Sequence, residues 1–339
     1  MVMITQKDIA RRLGISASLV SRALSGTATE IGACAATIER IRSEAARLNY
    51  RPSAAALTLR GTSTRMLGVV IKNFDDPFFG RMVAELESLA TARQYSLLLT
   101  GCPPGKEPQT NIHSLAKYQL DGLIIAGSDF TPDGVMDFVE RDIRVVRIGS
   151  GPRLAGVTNV VVDIKHGLTE LVNHLTRLGH RDIGYIGDET EPNRRREQQL
   201  LDVLQRAELL ARPTCFVRAK TSGANAGYEA MQSLLRRCGD LRPTVVIAAE
   251  DVLAQTALRA LFEQRIRVPA DLSLAGVDDI PSAHITIPTL TTVRQPIPEM
   301  ARRAFEALVG KRNAPKEIVV RPNLVVRESC AAPRGSPTI

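Results

Sequence analysis

Apolar residues recur at helical spacing three times within the first fifty residues. The pattern predicts short helices over 5–13 and 17–25 and a third over 37–48. Thr5 and Ser16 stand where they can cap the first two helices, and each of these helices is followed by a glycine suited to a left-handed C-cap. Two short helices across a glycine turn, supported by a third, are typical of a helix–turn–helix unit.

From residue 66 onward, continuous apolar runs alternate with segments of helical periodicity. The apolar runs lie at 67–71, 96–99, 122–126, 145–148, 183–186, 245–248 and 272–277, and the helical segments at 77–93, 166–178, 195–207, 224–237 and 252–264. Apolar strands that alternate with helices are typical of parallel sheets covered on both faces. Because this much chain exceeds one small sheet, the sequence predicts an α/β fold with two similar doubly wound parallel-sheet subdomains.

A short segment of different composition separates these two regions. Residues 51–61 place Pro52 ahead of a run of alanines, which favours a helix. The segment is too short to be a stable helix alone in water, and residues 61–64 have the composition of a linker. We therefore predict a conditional helix between two domains.

Positive charge is concentrated at the start of the chain. The first 65 residues hold ten Lys and Arg against four Asp and Glu, whereas the whole chain of 339 residues has a net charge of +8. A small basic domain ahead of a nearly neutral body is the electrostatic signature of a protein that binds a nucleic-acid backbone. A solvated basic terminus explains the charge by itself equally well.

Composition argues against several classes of site. Aromatic residues make up 4% of the chain and Trp is absent, which argues against stacking platforms for single-stranded nucleic acid. The cysteines form no CxxC pair and no Cys/His cluster, so we expect neither a metal nor another cofactor. No stretch has the character of a signal peptide or a membrane span. We expect a cytoplasmic protein with reduced thiols and no membrane partner.

Seven short motifs, taken in order, resemble those of the lactose-repressor (LacI) family of bacterial transcription regulators. They lie at 5–16, 20–26, 48–56, 76–79, 174–181, 276–279 and 291–296. The resemblance implies a sequence-specific regulator, more often a repressor than an activator, that binds a pseudo-palindromic operator in double-stranded DNA as a homodimer. It also implies a periplasmic-binding-protein-like core that holds a small effector, such as a sugar or related metabolite, between its two halves.

The resemblance also implies a division of the chain into domains. These are a headpiece at 1–50, a hinge helix and linker at 51–64, a core N-subdomain at 65–162 and 295–322, a core C-subdomain at 163–294 and 323–332, and a tail at 333–339.

The family pattern places DNA contacts in the head and in the hinge. They are Thr5, Ser16, Ala17, Ser18, Ser21, Arg22, Ser53, Ala56 and Leu59. Arg22 can pair with guanine N7 and O6, and the small hydroxyl residues suit phosphate oxygens. Leu59 stands where the family carries a leucine that wedges into the minor groove. The alternatives are that Arg22 is an ordinary surface arginine and that Leu59 packs against the core.

The stretch 27–37 departs from the family pattern. It is longer than the usual connection to the third helix and lacks the family's capping serine. This departure leaves the start of the third helix open, together with some phosphate contacts.

Effector contacts are expected at the carboxyl ends of the strands, where ligands of open α/β sheets bind. The candidates are Phe74, Asp75, Phe78, Phe79, Ser128, Arg196, Ser222, Glu250 and Asp278. By the resemblance, Arg196 and Asp278 face the effector and can clamp hydroxyls or a polar ring across a cleft. Glu250 replaces an asparagine that is common in the family, which favours a cationic or hydroxyl-rich ligand. The alternatives are a structural ion pair and a core role for one of the two adjacent phenylalanines.

Two other classes of function compete with a DNA-binding regulator. A solute-binding protein of a transporter has the same core but needs export, and this chain carries a basic head instead of a signal peptide. An enzyme is the third class. Asp278 and Asp279 are paired carboxylates, but adjacent residues at a strand end point apart, and the chain has no dinucleotide fingerprint, Walker loop or nucleophile motif.

Overall fold

The structure is a computed structural model that forms two compact units, Met1–Thr64 and Arg65–Ile339. It describes residues 4–50, 63–101, 108–127, 132–149, 151, 153–209, 211–310 and 315–334. The first unit carries the predicted helix–turn–helix, and the second carries both sheets.

Three helices make up the described part of the first unit, as the apolar spacing predicts. They are α1 (Gln6–Leu13), α2 (Ala17–Ser25) and α3 (Ala35–Arg47). Thr5 and Asp8 form a capping box at the start of α1, and Ser16 accepts from the Leu19 amide at the start of α2. Gly14 and Gly26 end the two helices in the left-handed conformation, with φ of 66° and 81°.

The connection to α3 is built differently from a simple turn. A short 3-10 helix (Ala28–Ile31) fills it, and α3 begins at Ala35, two residues before the predicted start. Cys34 stands at the N-cap, with its Sγ 3.1 Å from the Thr37 hydroxyl. The three helices enclose a small core centred on Ile9, Val20 and Ile41, which are fully buried.

The second unit contains two six-stranded sheets. The first has strands β1 (Met66–Ile71), β2 (Ser96–Gly101), β3 (Gly122–Ala126), β4 (Arg144–Ile148), β5 (Val157–Val162) and β11 (Glu317–Val320), in the order β11-β5-β4-β3-β1-β2. All of its pairings are parallel. Strand β1 lies between β2 and β3, so the strand order reverses there.

The second sheet repeats this arrangement. Its strands are β6 (Ile183–Asp188), β7 (Phe216–Ala219), β8 (Val245–Ala248), β9 (Ser273–Asp278), β10 (Thr291–Arg294) and β12 (Asn323–Val325), in the order β12-β10-β9-β8-β6-β7. Only the β10–β12 pair is antiparallel among these strands. The prediction of two doubly wound parallel sheets is confirmed.

Helices cover both sheets. They are α4 (Pro77–Ala92), α5 (Pro108–Leu115), α6 (Pro132–Glu140), α7 (Ile164–Arg177), α8 (Glu191–Arg206), α9 (Ala224–Cys238), α10 (Asp251–Glu263) and α11 (Ile297–Val309). The chain passes from one sheet to the other after β5, after β10 and after β11. None of the described helices has the length and apolar character needed to cross a bilayer.

Candidate functional site

The carboxyl ends of β1, β8 and β9 bring polar side chains together in the second unit. Open α/β sheets bind ligands at this edge, beside the point where the strand order reverses. β1 leads to the N-terminus of α4, β8 ends just before Glu250, and β9 ends at Asp278. We call Asp76, Arg196, Glu250 and Asp278 the cleft cluster.

Arg196 lies at the centre of the cleft cluster. Its guanidinium donates to the Ala249 carbonyl at 2.7 Å and to Glu250 Oε1 at 3.3 Å, and its other terminal nitrogen lies 3.4 Å from Asp278 Oδ1. Burial lowers the pKa of Arg196, but the two carboxylates outweigh it, so the pKa lies above the usual value. Arg196 therefore forms a direct ion pair with Asp278, which is the alternative to the predicted ligand clamp.

The expectation that these two residues face each other across the cleft is wrong. Arg196 lies on α8 and Asp278 ends β9, and both belong to the second sheet and its helices. They contact each other on the same side of the cleft, as the structural ion-pair alternative requires. Arg196 and Asp278 still belong to the site, because both lie at the carboxyl edge of the second sheet.

Asp278 and Asp279 point apart, as expected of adjacent residues at a strand end. Gln295 donates to Asp278 Oδ1 at 2.5 Å, whereas Asp279 pairs with Arg294 and Arg327, each at 2.6 Å. Both aspartates have positive φ values, 119° and 57°. The φ of Asp279 is one that six other described non-glycine residues adopt, whereas the φ of Asp278 is rare for a residue with a side chain and has to be held by the surrounding structure.

The first sheet contributes Asp76 rather than the predicted Asp75. Asp76 caps α4 by accepting from the Phe78 amide at 2.9 Å, while Asp75 is exposed. Burial raises the pKa of Asp76, and Arg196 and Lys72 oppose that rise electrostatically. Because Arg196 belongs to the second sheet, this interaction crosses the cleft. The sequence analysis did not include Asp76 or Lys72 among the site residues, although the Asp-Pro helix start was visible in the sequence.

The aromatic residues near α4 take three different positions. Phe79 is buried in the core of the first sheet, so its prediction as an effector contact is corrected. Phe78 is half-buried and packs against the cores of both sheets, which places it between them. Phe74 is exposed and lies beside Gly101, the last residue of β2.

Of the two remaining effector candidates, only Ser222 lies among the described residues. Ser222 is exposed in the loop between β7 and α9, and no hydrogen bond among the described residues joins it to the cluster. Ser128 lies outside the described residues.

A buried amide next to the cleft cluster was also missed. Asn193 lies one turn before Arg196 on α8 and is 1% exposed. Its Nδ2 donates to Asp188 Oδ1 at 2.8 Å, and its Oδ1 has no hydrogen-bond partner among the described residues. Asp188 acts electrostatically on Glu250, which connects this amide to the cluster.

The head presents a second polar surface along α2. Ser16 and Ser18 are exposed, Ala17 is half-buried, and Arg22 is exposed with no side-chain hydrogen bond or ion pair inside the described head. Ser21 is 9% exposed and faces the head's interior, and the Thr5 hydroxyl donates to Asp8 at 2.6 Å. The hinge candidates Ser53, Ala56 and Leu59 lie outside the described residues.

Neither surface resembles a metal centre. The structure brings together no group of three or more Cys, His, Asp or Glu, within the part of the chain it describes, that could hold a metal ion. The buried histidine His180 is held between Thr244 Oγ1 and the Ala331 carbonyl, which is a structural arrangement.

Comparison with known proteins identifies relatives over the whole length of the chain. Residues 172–330 match the family model described as a periplasmic binding protein-like domain. The HTH-type transcriptional repressor PurR of Proteus mirabilis is 32% identical over 339 residues, which cover 97% of each chain.

Two solved structures share the fold over almost the same length. One is the lac repressor dimer bound to operator and the anti-inducer ONPF, with a TM-score of 0.83 and 23% identity over 98% of this chain and 100% of that chain. The other is the complex of the transcriptional regulator CelR with cellobiose, with a TM-score of 0.67 and 25% identity over 96% and 99%.

Proposed function

Since the chain belongs to the LacI family of DNA-binding transcriptional regulators, we propose that its head binds a specific operator and that a small molecule bound at the cleft cluster controls this binding. Its relatives are repressors, and its function class is that of a regulator rather than an enzyme. One observation carries the proposal: a helix–turn–helix with an exposed polar face and a two-sheet core with a largely buried polar cluster occur in the same chain.

The face of α2 suits the major groove of DNA. The N-terminal residues of a recognition helix meet base edges there, and Ser18 is exposed in the first turn of α2. Arg22 is exposed in the last turn, one turn of helix further along, and its long side chain extends its reach. Arg22 makes no contact that would have to be broken within the described head, so it can pair with guanine at little cost. Ser16 accepts from Leu19 and keeps its hydroxyl proton for a phosphate oxygen. Thr5 and Ser21 are weaker candidates, because one hydroxyl donates to Asp8 and the other is buried.

A direct test measures binding of the full chain to DNA. Titration of promoter fragments by gel shift or fluorescence anisotropy should find a pseudo-palindromic site of roughly 16–20 base pairs that is preferred over random DNA. The affinity should fall steeply with added salt, because binding releases counterions from phosphates. Equal affinity for every fragment would contradict the proposal.

Arg22→Ala is expected to weaken operator binding by about 1–3 kcal/mol and to relax specificity at one base pair in each half-site. The measurement is anisotropy against a set of operators with single base-pair changes. Arg40→Ala, which removes an exposed arginine from α3, serves as the control and should leave base preference unchanged. A loss for Arg22→Ala that is uniform across all sequences would show that the side chain contacts only phosphate.

The cleft between the two sheets is the proposed effector site. Arg196, Glu250 and Asp278 approach from one side, and Asp76 and Phe78 from the other. A small molecule that bridges these groups binds more tightly in one relative position of the two halves than in another. This difference in affinity between two states is what allosteric control requires. Screening metabolites for an increase in melting temperature, followed by operator titration with each hit, tests this part of the proposal.

A homodimer follows from the need to place two heads on one operator. Ile285 and Ile287, just after the 3-10 helix Pro281–His284, are 71% and 95% exposed, and a second copy can cover them. Ile287→Glu is expected to weaken the dimer and therefore to weaken operator binding in parallel. Sedimentation velocity checks this result, with Phe262→Glu at an exposed apolar residue on α10 as the control. An unchanged dimer would place the interface elsewhere.

A regulator that binds operator DNA acts where the chromosome is. We therefore propose a cytoplasmic location, in line with the transcriptional role of the relatives.

A further inference from the structure

The cleft cluster and the charged groups next to it include more acidic than basic side chains. Three carboxylates, those of Asp76, Glu250 and Asp278, face two cations, Arg196 and Lys72. Asp188 is a fourth carboxylate near Glu250. Buried negative charge is stable only when it is compensated, so the free site takes up protons, as the raised pKa values of Glu250 and Asp278 indicate, or binds a cation in their place.

Arg196 does not satisfy both of its carboxylate partners well. Its contacts with Glu250 and Asp278 are 3.3 and 3.4 Å long, whereas charge-assisted hydrogen bonds are usually about 2.7–2.9 Å. The shortest bond that Arg196 makes is the one to the Ala249 carbonyl. Glu250 therefore retains acceptor capacity that a ligand can use.

The Asn193 amide independently indicates that the ligand is a hydrogen-bond donor. Its orientation is fixed, because Nδ2 must face the carboxylate Asp188 Oδ1 and the flipped amide would place two acceptors together. Its Oδ1 is thereby left as a buried acceptor with no donor among the described residues. Leaving such an atom unpaired destabilises the free site, so a ligand that donates to it gains affinity.

From these observations we propose that the effector is an organic cation whose protonated nitrogen lies against Glu250 and Asp76 and whose N–H groups also reach the Asn193 oxygen. A metal ion is the wrong cation, because the described carboxylates are not grouped as metal ligands are. A neutral sugar or nucleobase supplies donors but leaves the charge uncompensated. This proposal rests on the proposed effector site and specifies the chemistry of its ligand.

The proposal predicts that binding depends on pH. Burial raises the pKa values of Glu250 and Asp278, each of which also faces Arg196, Asp76 and the other carboxylate. Lys72 and Asp188 act on Glu250, and Asp251 acts on Asp278. A cation binds the ionised carboxylates, so its affinity should fall when the pH is lowered through these raised pKa values.

The test compares probe pairs that differ in one protonated nitrogen. The pairs are D-glucosamine with D-glucose, 2-aminoethanol with ethylene glycol, and cadaverine with 1,5-pentanediol, each followed by thermal shift and calorimetry on the full chain. We expect at least one cationic member to bind at least tenfold more tightly than its neutral partner. Glu250→Gln keeps the shape of the side chain and should abolish that preference, whereas Glu189→Gln, an exposed carboxylate, should preserve it.

Three outcomes would overturn the organic-cation proposal. They are equal binding of the two members of every pair, a preference for the neutral members, and an unchanged preference in Glu250→Gln. If neutral metabolites bind and alter operator affinity, the proposed effector site is supported and only the proposed positive charge of the effector is wrong. If no compound of any class changes either the melting temperature or operator affinity, the proposed effector control fails as well.

Discussion

Ile41→Ala is expected to unfold the head at physiological temperature and to reduce operator affinity by more than a hundredfold. Ile41 is 0% exposed at the centre of a core that three short helices share. Truncation of a buried isoleucine to alanine costs about 2–5 kcal/mol, and a domain of this size has little stability to spare. The effector-binding unit should keep its melting temperature, because it has separate cores.

The measurement is a pair of thermal melts with operator titrations on the full chain. Ser43→Ala is the matched control, because it removes only an exposed hydroxyl from the same helix. The control should bind operator like the wild type. Retention of wild-type operator affinity by Ile41→Ala would mean that the head does not depend on this core.

Arg196→Met is the second change with a large expected effect. It leaves Glu250 and Asp278 buried without the guanidinium that lies between them, and removal of one partner from a buried ionic cluster costs about 3–5 kcal/mol. The adjacent Arg195→Met is the control. Arg195 pairs with Glu191 at a partly exposed position, so its loss should cost less than about 1 kcal/mol.

The pH dependence of Arg196→Met follows from the same carboxylates. Without Arg196 their folded-state pKa values rise further, so the folded chain binds protons that the unfolded chain has already released. The free energy of unfolding must then fall as the pH rises from about 4, the pKa of these carboxyls in the unfolded chain, towards their raised pKa values in the folded chain. The stability deficit of the variant should therefore be larger at pH 8 than at pH 5.5, as measured by denaturant titration. Equal deficits at both pH values would contradict this account.

Several elements of the fold were missed by the sequence analysis. β5, β7, β10, β11 and β12 and helices α5, α6 and α11 were not predicted. β10 shows one reason clearly, because its buried residues Thr291 and Thr292 are polar. The Thr292 hydroxyl donates to Asp251 at 2.6 Å and the Thr291 amide to Ser329 at 2.8 Å, so distant residues satisfy them. By contrast, α11 has an amphipathic pattern that local reasoning could have identified, with Met300, Ala304 and Leu308 buried.

The sequence also predicted only part of the candidate site. The family motifs led to Arg196 and Asp278, and both lie in the cleft cluster. They did not reveal Asp76 as a cluster member or Asn193 as a buried acceptor, because these roles depend on what packs against each side chain. Phe79 belongs to the core for the same reason, since two adjacent phenylalanines look alike until the sheet beneath them is known.

Local rules acting within a few residues determined the three helices of the head, their caps and most of the central strands. Apolar period, capping hydroxyls and glycine stops operate over one or two helical turns, so the sequence contains them directly. Only the tertiary structure decided which edge strands join which sheet and which charged groups share the cleft. Those outcomes depend on pairing and desolvation between segments that lie far apart in the chain.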